Sequence, residues 1–323
     1  MRVVILLMLS ILLMDMCGIS LLSAYDRVRV TVTIEPLALI VKDIGGDRVD
    51  VYTIVPAYTN PHVYAPKPED RSLIENSDIF VCIGREEFLG YFEDAPAIKL
   101  ELDDWSSGMY IPGGNPHYVW LFPPNAVIIA EAIYTVLSSI DHDGRNYYRH
   151  RFEQFKQSLV DVARWVEACK RTYRLSEVRV ALAGSHMEPL MEYLGIEVTG
   201  ILMRGERMVA PRDIVEFRGS AKSADIILVH LLEYELDEGR IASEVSKEVG
   251  VPIMTFNPLP LGYESSYTEY LRIISYGLSV SLANVKLGYQ NRAASPMLCI
   301  VAVAPLTMVS IFLLLLLHRK YRR

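Results

Sequence analysis

Apolar and polar residues alternate along Val28-Arg29-Val30-Thr31-Val32-Thr33-Ile34, the period of a strand with one face buried. Pro36 to Ile44 is then apolar almost throughout and stops at Gly45-Gly46, which predicts a helix and its end. The same kinds of segment follow. Val49 to Val55 predicts a second strand, Pro68 to Ser77 a short helix, Ile79 to Ile83 a third strand, Glu86 to Glu93 a short helix, and Ile98 to Leu102 a fourth, weaker strand. Strands that alternate with helices predict a mainly parallel sheet covered on both faces. Trp105 to Gly114 reads as loop, and Asn125 to Ile140 as a helix broken at Asp141-His142-Asp143-Gly144.

The longest periodic stretch comes next. Tyr148, Phe152, Phe155, Leu159, Val162, Val166, Cys169 and Tyr173 are spaced by fours and threes, one apolar stripe on a helix from about Asn146 to Arg174. Such a helix is about 40 Å long. A coiled-coil seam has similar spacing, but a single isolated stretch favours a spine packed on two lobes. Beyond it a second series begins: strand Val178 to Leu182, a turn at Ala183-Gly184-Ser185, and a helix from His186 to Leu194. Ile196 to Leu202, Ile226 to His230 and Pro252 to Phe256 predict further strands, and Pro211 to Ser223, Glu238 to Val249 and Ser265 to Val285 further helices. The expected fold is therefore α/β, with two similar lobes over residues 25–144 and 176–290 joined by one spine helix at 145–175.

Both ends are apolar for another reason. Residues 1–24 carry Arg2, an apolar run from Val3 to Met14 broken only by Ser10, and the small pair Ser23-Ala24, which reads as an export signal. Cys17-Gly18 invites a lipid-attachment reading, but Met14-Asp15-Met16 lacks the small residues that site needs. Met297 to Leu317 has no formal charge and is long enough to cross about 30 Å of hydrocarbon. The basic tail 318–323, His-Arg-Lys-Tyr-Arg-Arg, would stay cytoplasmic and leave the preceding residues outside. The expected protein is held on the cell membrane by a C-terminal anchor, its lobes on the extracytoplasmic face. Without the terminal segments, which hold five of 32 basic and one of 39 acidic residues, 27 basic face 38 acidic groups, a net charge of −11. That balance disfavours nucleic acid and mildly favours cations. Cys17, Cys82, Cys169 and Cys299 are too scattered for a disulfide framework or a thiolate cluster.

The candidate chemistry lies in an echo. Asn60-Pro61-His62 recurs as Asn115-Pro116-His117. Proline fixes φ and extends the residue before it, so each motif delivers its imidazole from a stiff turn. Ordinary turn chemistry explains either motif alone; the duplication favours a shared ion. His62 follows a strand of the first half and His186 a strand of the second, with His117 on the approach between them. Three imidazoles form a zinc set with one position open, and nitrogen donors favour zinc and its transition-metal neighbours over calcium or magnesium.

Together with Val32-Thr33-Ile34-Glu35-Pro36-Leu37, Gly45-Gly46-Asp47-Arg48-Val49, Tyr64, Pro66, Trp120, Gly184-Ser185-His186 and Asn257-Pro258-Leu259, these motifs resemble the zinc and manganese receptors of ABC importers, the cluster A-I solute-binding proteins. The resemblance covers nearly all of residues 28–285. It implies two four-stranded α/β lobes on a rigid helix, one metal ion in the cleft, a permease and its ATPase as partners, and a monomer. His62, His117 and His186 match three ligand positions of that family, and Asn257 matches the fourth, where aspartate is usual. Glu188, His230, Glu233 and Glu264 are possible substitutes for that neutral amide. The His- and Asp-rich loop of many zinc receptors is missing, and Trp120 is one residue farther from His117 than the pattern places it. Manganese receptors usually carry glutamate at the third position, so His186 tilts the choice towards Zn2+ with Mn2+ second.

Two other readings compete with a receptor. An outward-facing zinc hydrolase would use the open position to activate water, but the chain has no His-Glu-x-x-His, no Gly-x-Ser-x-Gly and no motif-placed general base. It is therefore read as a non-enzyme. A metal-binding adhesin of the same fold stays open.

Overall fold

The computed structural model describes residues 27–292 except residues 58, 95–96, 113–115, 117 and 206. The expected export segment 1–24, the span 297–317, the tail 318–323, Cys17 and Cys299 lie outside the described residues.

Two parallel four-stranded sheets share one topology. The first is built from β1 (Val28–Val32), β2 (Val49–Thr53), β3 (Ile79–Val81) and β4 (Ile98–Leu100), in the spatial order β2-β1-β3-β4. The second uses β5 (Arg179–Gly184), β6 (Glu197–Met203), β7 (Ile226–His230) and β8 (Ile253–Phe256), in the order β6-β5-β7-β8. All pairings are parallel, as the alternation of strand and helix predicts. Central strands are buried on both faces, and every residue of β7 is buried. In β1 the polar Thr31 is also buried, its hydroxyl paired with Ser77 Oγ at 2.6 Å.

The helices are α1 (Glu35–Gly45), α2 (Pro68–Glu75), α3 (Leu102–Trp105), α4 (Pro123–Ile140), α5 (Arg145–Thr172), α6 (Glu188–Leu194), α7 (Pro211–Ala221), α8 (Asp237–Val249) and α9 (Tyr267–Arg292). In both halves the helix after the central strand opens Glu-Pro-Leu, with proline in the first turn, where its missing N–H costs nothing. The stretch expected as a helix from Glu86 to Glu93 is a 3-10 segment, Glu87–Phe92, and the single turn of α3 fills the gap between the expected strand end at Leu102 and the expected loop from Trp105. Among the described residues only α4 is long and apolar enough to cross a membrane, and it packs against α1 and α5.

Helix α5 is the spine that the periodicity predicts. Its buried side chains are Tyr148, Phe152, Phe155, Leu159, Val162, Val166 and Cys169, and fully burying a valine, leucine or phenylalanine contributes about 1.5–3 kcal/mol. Tyr173 ends the stripe as the C-terminal cap. One hydrophobic core runs from the first sheet through this stripe to the inner face of the second, and a smaller cluster covers the outer face of the second sheet. Helix α9 packs along α5 and also reaches α1. Its first amide, Tyr267 N, donates to Asp43 Oδ2 of α1 at 2.9 Å. The Tyr267 and Tyr270 hydroxyls donate to the carbonyls of Trp120 and Pro258. Burial pushes the Asp43 carboxyl up to about 6.

The Gly45-Gly46-Asp47-Arg48-Val49 motif clamps the start of the spine. Gly46 has φ +52°, and a side chain there would collide with Tyr147 and Arg151 of α5. Arg48 pairs bidentately with Asp141, Nε to Oδ2 at 2.7 Å and Nη2 to Oδ1 at 2.9 Å. The Tyr148 hydroxyl and the Gly144 amide donate to the same carboxylate at 2.7 and 2.9 Å. Arg48 is the main reason the Asp141 carboxyl falls from 3.8 to about 2.

Asp141→Asn should therefore lower the unfolding free energy at neutral pH by about 1.5–3 kcal/mol, the range for hydrogen bonds to charged groups. Because the folded pKa is depressed, this contribution is present above the unfolded value near 4 and is lost as the pH falls towards about 2. Urea titrations at pH 7 and pH 3 should show the gap between wild type and variant narrowing at the lower pH.

Candidate metal centre

In open parallel sheets a ligand site forms beyond the carboxyl ends of the strands, where the strand order reverses. In the second sheet that point lies between β5 and β7. His186 follows β5, in a 3-10 turn, Ser185–Met187, that precedes α6. His230 ends β7, and Glu233 lies on the 3-10 turn after it. All three are buried.

From the first half, the loop after β2 brings His62. Pro61 opens the turn Pro61–Val63, and Asn60 Oδ1 accepts the His62 amide at 3.0 Å. The motif's asparagine thus locks the backbone that carries the imidazole. The His62 and His186 rings, 124 residues apart in number and from different sheets, lie 5.3 Å apart between centroids at 30°. With N–Zn near 2.0–2.1 Å and a tetrahedral angle, two imidazole centroids sharing one ion stand about 5 Å apart.

His117 lies outside the described residues; its neighbour Tyr118 does not. Tyr118 takes a left-handed φ of 61°, one of two such non-glycine residues among those described, a conformation that concentrates at functional sites. Its ring stacks on Trp120 at 4.9 Å and meets His186 at 5.1 Å. The Tyr118 hydroxyl lies 3.1 Å from His230 Nε2, while His230 Nδ1 accepts the Leu232 amide at 3.1 Å. That second bond assigns the His230 proton to Nε2, which donates to Tyr118. Burial is the main reason the His230 pKa falls to about 4. The ring is neutral, both nitrogens are engaged, and His230 is a poor choice for a ligand.

The other possible donors are occupied differently. Glu264 accepts the amides of Leu261, Gly262 and Tyr263 at 2.8, 2.9 and 3.2 Å and so folds its own loop. Glu188 lies 3.4 Å from Arg204. Asn257 follows β8 one position beyond the His230–Phe256 register pair, and its Oδ1 accepts the Leu259 amide at 3.1 Å. Its Nδ2 is buried with no hydrogen-bond partner among the described residues. Glu233 is different: Oε1 stands 2.7 Å from His186 Nδ1, a close contact that lies off the axis of a ring N–H. Burial pushes its carboxyl up, but the His186 contact and the fields of His186, His230 and His62 together hold it below the usual range. Among the described residues no three His, Cys, Asp or Glu side chains form a complete ligand group. Two of the expected imidazoles are together, the third is outside that set, and Asn257 turns its oxygen to the backbone. Tyr118 was missed from sequence, although it follows a predicted ligand directly.

Residues 30–279 match the family described as ZnuA, the periplasmic component A of a zinc-uptake complex. A putative metal-binding protein of Thermotoga maritima is 24% identical over 246 residues, 75% of this chain and 88% of that protein. The manganese ABC transporter substrate-binding lipoprotein PsaA of Streptococcus pneumoniae is 30% identical over 159 residues, 44% of this chain; the match spans about half (51%) of the lipoprotein. A crystal structure of ZnuA superposes with a TM-score of 0.65 at 18% identity, covering 79% of this chain and 99% of that one. The Mn-bound periplasmic metal-binding protein of Candidatus Liberibacter asiaticus gives 0.63 at 18% identity, covering 79% and 100%. These two structures share the fold.

Tyr118→Phe should leave the buried Nε2–H of His230 without an acceptor. The expected cost is about 1–3 kcal/mol in unfolding free energy, read by chemical denaturation of the metal-free chain; an unchanged midpoint would contradict a stabilising hydrogen bond between Tyr118 and His230.

Proposed function

The chain belongs to the ZnuA family of zinc-uptake components, and from that premise we propose that it is the extracytoplasmic receptor of an ABC importer, capturing Zn2+ in the cleft between its two sheets and delivering it to a membrane permease powered by an ATPase subunit. The observation that carries this reading is the approach of His62 and His186 from different sheets to 5.3 Å. Nothing in the local sequence requires two residues so far apart to meet. An ion shared between them gives the meeting a purpose.

His62, His117 and His186 are the proposed ligands, with Asn257 as the expected occupant of the fourth position. Imidazole suits zinc better than it suits manganese, and at a given nitrogen site the general order of affinity also places Zn2+ above Mn2+. Relatives bearing manganese names keep Mn2+ as the second candidate. PsaA is named as a substrate-binding lipoprotein of an ABC transporter, which supports a receptor and lends nothing to a hydrolase. The shared core through α5 favours small rotations over a wide closure on binding. Residues 297–317 are proposed as the anchor that keeps the receptor beside its permease on the outer face of the membrane.

The full chain, purified without added metal and titrated against a chromophoric chelator, should bind one equivalent of Zn2+ and hold it in competition with equal Mn2+. His62→Ala should weaken binding by more than about 100-fold, beyond the 10–100-fold typical of losing an outer-shell partner. Retention of wild-type affinity in that variant would remove the cleft as the binding site.

A further inference from the structure

We infer that Glu233 is the positioning carboxylate of the proposed metal centre, holding His186 through Nδ1 so that Nε2 carries the ion, and that it does not itself coordinate. This rests on the reading of His62, His117 and His186 as ligands.

The argument comes from an internal repeat. In the first sheet the central strand β1 leads to Thr33-Ile34-Glu35-Pro36-Leu37, and in the second β5 leads to His186-Met187-Glu188-Pro189-Leu190. Thr33 and His186 thus hold the same place, two residues before the glutamate that opens α1 or α6. In each half the loop after the third strand sends a glutamate back to that place. Glu86, after β3, accepts the Thr33 hydroxyl at 2.6 Å, and Glu233, after β7, stands 2.7 Å from His186 Nδ1. Glu86 is a brace, for it also accepts the amides of Ile83, Gly84 and Arg85 at 3.0, 2.8 and 3.1 Å. The same device in the second half therefore braces the imidazole.

Local geometry agrees. A Cβ on Gly184 would stand 3.4 Å from Glu233 Oε2 and 3.7 Å from His186 Nδ1, which puts the carboxylate on the backbone side of the ring. The χ2 torsion of histidine is broad, and the brace requires it to align Nδ1–H with Oε1 across this 2.7 Å contact. A carboxylate there fixes the tautomer, orients the ring and makes Nε2 a better donor to a metal. Glu233 is 2% exposed and its Oε2 has no hydrogen-bond partner among the described residues, so its charge is directed at His186 and its surroundings.

The test uses the full chain with Zn2+ in chelator competition and Co2+ as a spectroscopic probe. Glu233→Gln should weaken Zn2+ binding by about 10–100-fold, with the position and intensity of the Co2+ visible bands unchanged because the ligand set is unchanged. Glu86→Gln should lower the melting temperature of the metal-free chain and leave Zn2+ affinity within about threefold. A double-mutant cycle guards against a folding defect: in a His186→Ala background, Glu233→Gln should have no further effect on affinity. Wild-type affinity in Glu233→Gln, a changed Co2+ band pattern, or an undiminished effect in the His186→Ala background would each overturn the inference. If His62→Ala also bound as wild type, the receptor reading would fall with it; if only Glu233→Gln did, the receptor reading would stand.

Discussion

The cleft exists because two sheets that could each have folded around a separate core share one instead. Helix α5 lays a single stripe from Tyr148 to Val166 through that core, and α9 runs beside it, capped by Asp43 of α1 and bonded to the Trp120 and Pro258 carbonyls. Close-packed interiors do not deform continuously, so the relative placement of the two sheets is held by packing. The His62 turn and the His186 turn are then presented at a fixed spacing. A site assembled from distant segments needs this, because donor atoms displaced by an ångström no longer share one ion.

Within that frame, carboxylates do two kinds of work. Glu86 and Glu264 each fold a loop by gathering several backbone amides, which satisfies donors that would otherwise be unpaired near the cleft. Asp141 gathers Arg48, Tyr148 and Gly144 at the base of the spine. These groups are acidic, close to interesting places, and fully used. Glu233 contacts one imidazole and leaves an oxygen unpartnered among the described residues. A fully occupied carboxylate is architecture, and a partly occupied buried one invites a functional explanation.

The sequence made the large features legible for a physical reason: burial on one face repeats. The spine's stripe was readable residue by residue because 3.6-residue periodicity is written directly in the apolar positions, and seven of its eight residues are buried. The parallel sheets followed from alternating segment types. Finer features were not readable, since they are made by partners distant in the chain. The Asp43 cap on Tyr267 spans 224 residues, the left-handed Tyr118 has no side chain that favours that conformation, and the short 3-10 turns that hold His62 and His186 leave no periodic trace. For the site, the first Asn-Pro-His motif was legible as a stiff turn, and the structure supplies its mechanism, the Asn60 side chain accepting the His62 amide; Asn115 and His117 of the second lie outside the described residues. Glu233 could be seen only as one of several candidates until its neighbours were known.

The neutral Asn257 then becomes intelligible as part of the charge balance. A dication held by three neutral imidazoles and an amide or water keeps its full charge in a cleft of low dielectric, which is costly without a compensating anion nearby. A coordinating carboxylate would supply that anion at the shortest distance and bind most tightly. A carboxylate behind one imidazole supplies the same sign of charge through a ring, with a weaker field at the ion. Receptors that carry aspartate at this position use the first arrangement; with Asn257 there, moving the anion behind His186 trades affinity for easier release. On the proposed reading, Glu233 behind His186 and an uncharged residue at position 257 are two sides of one adjustment.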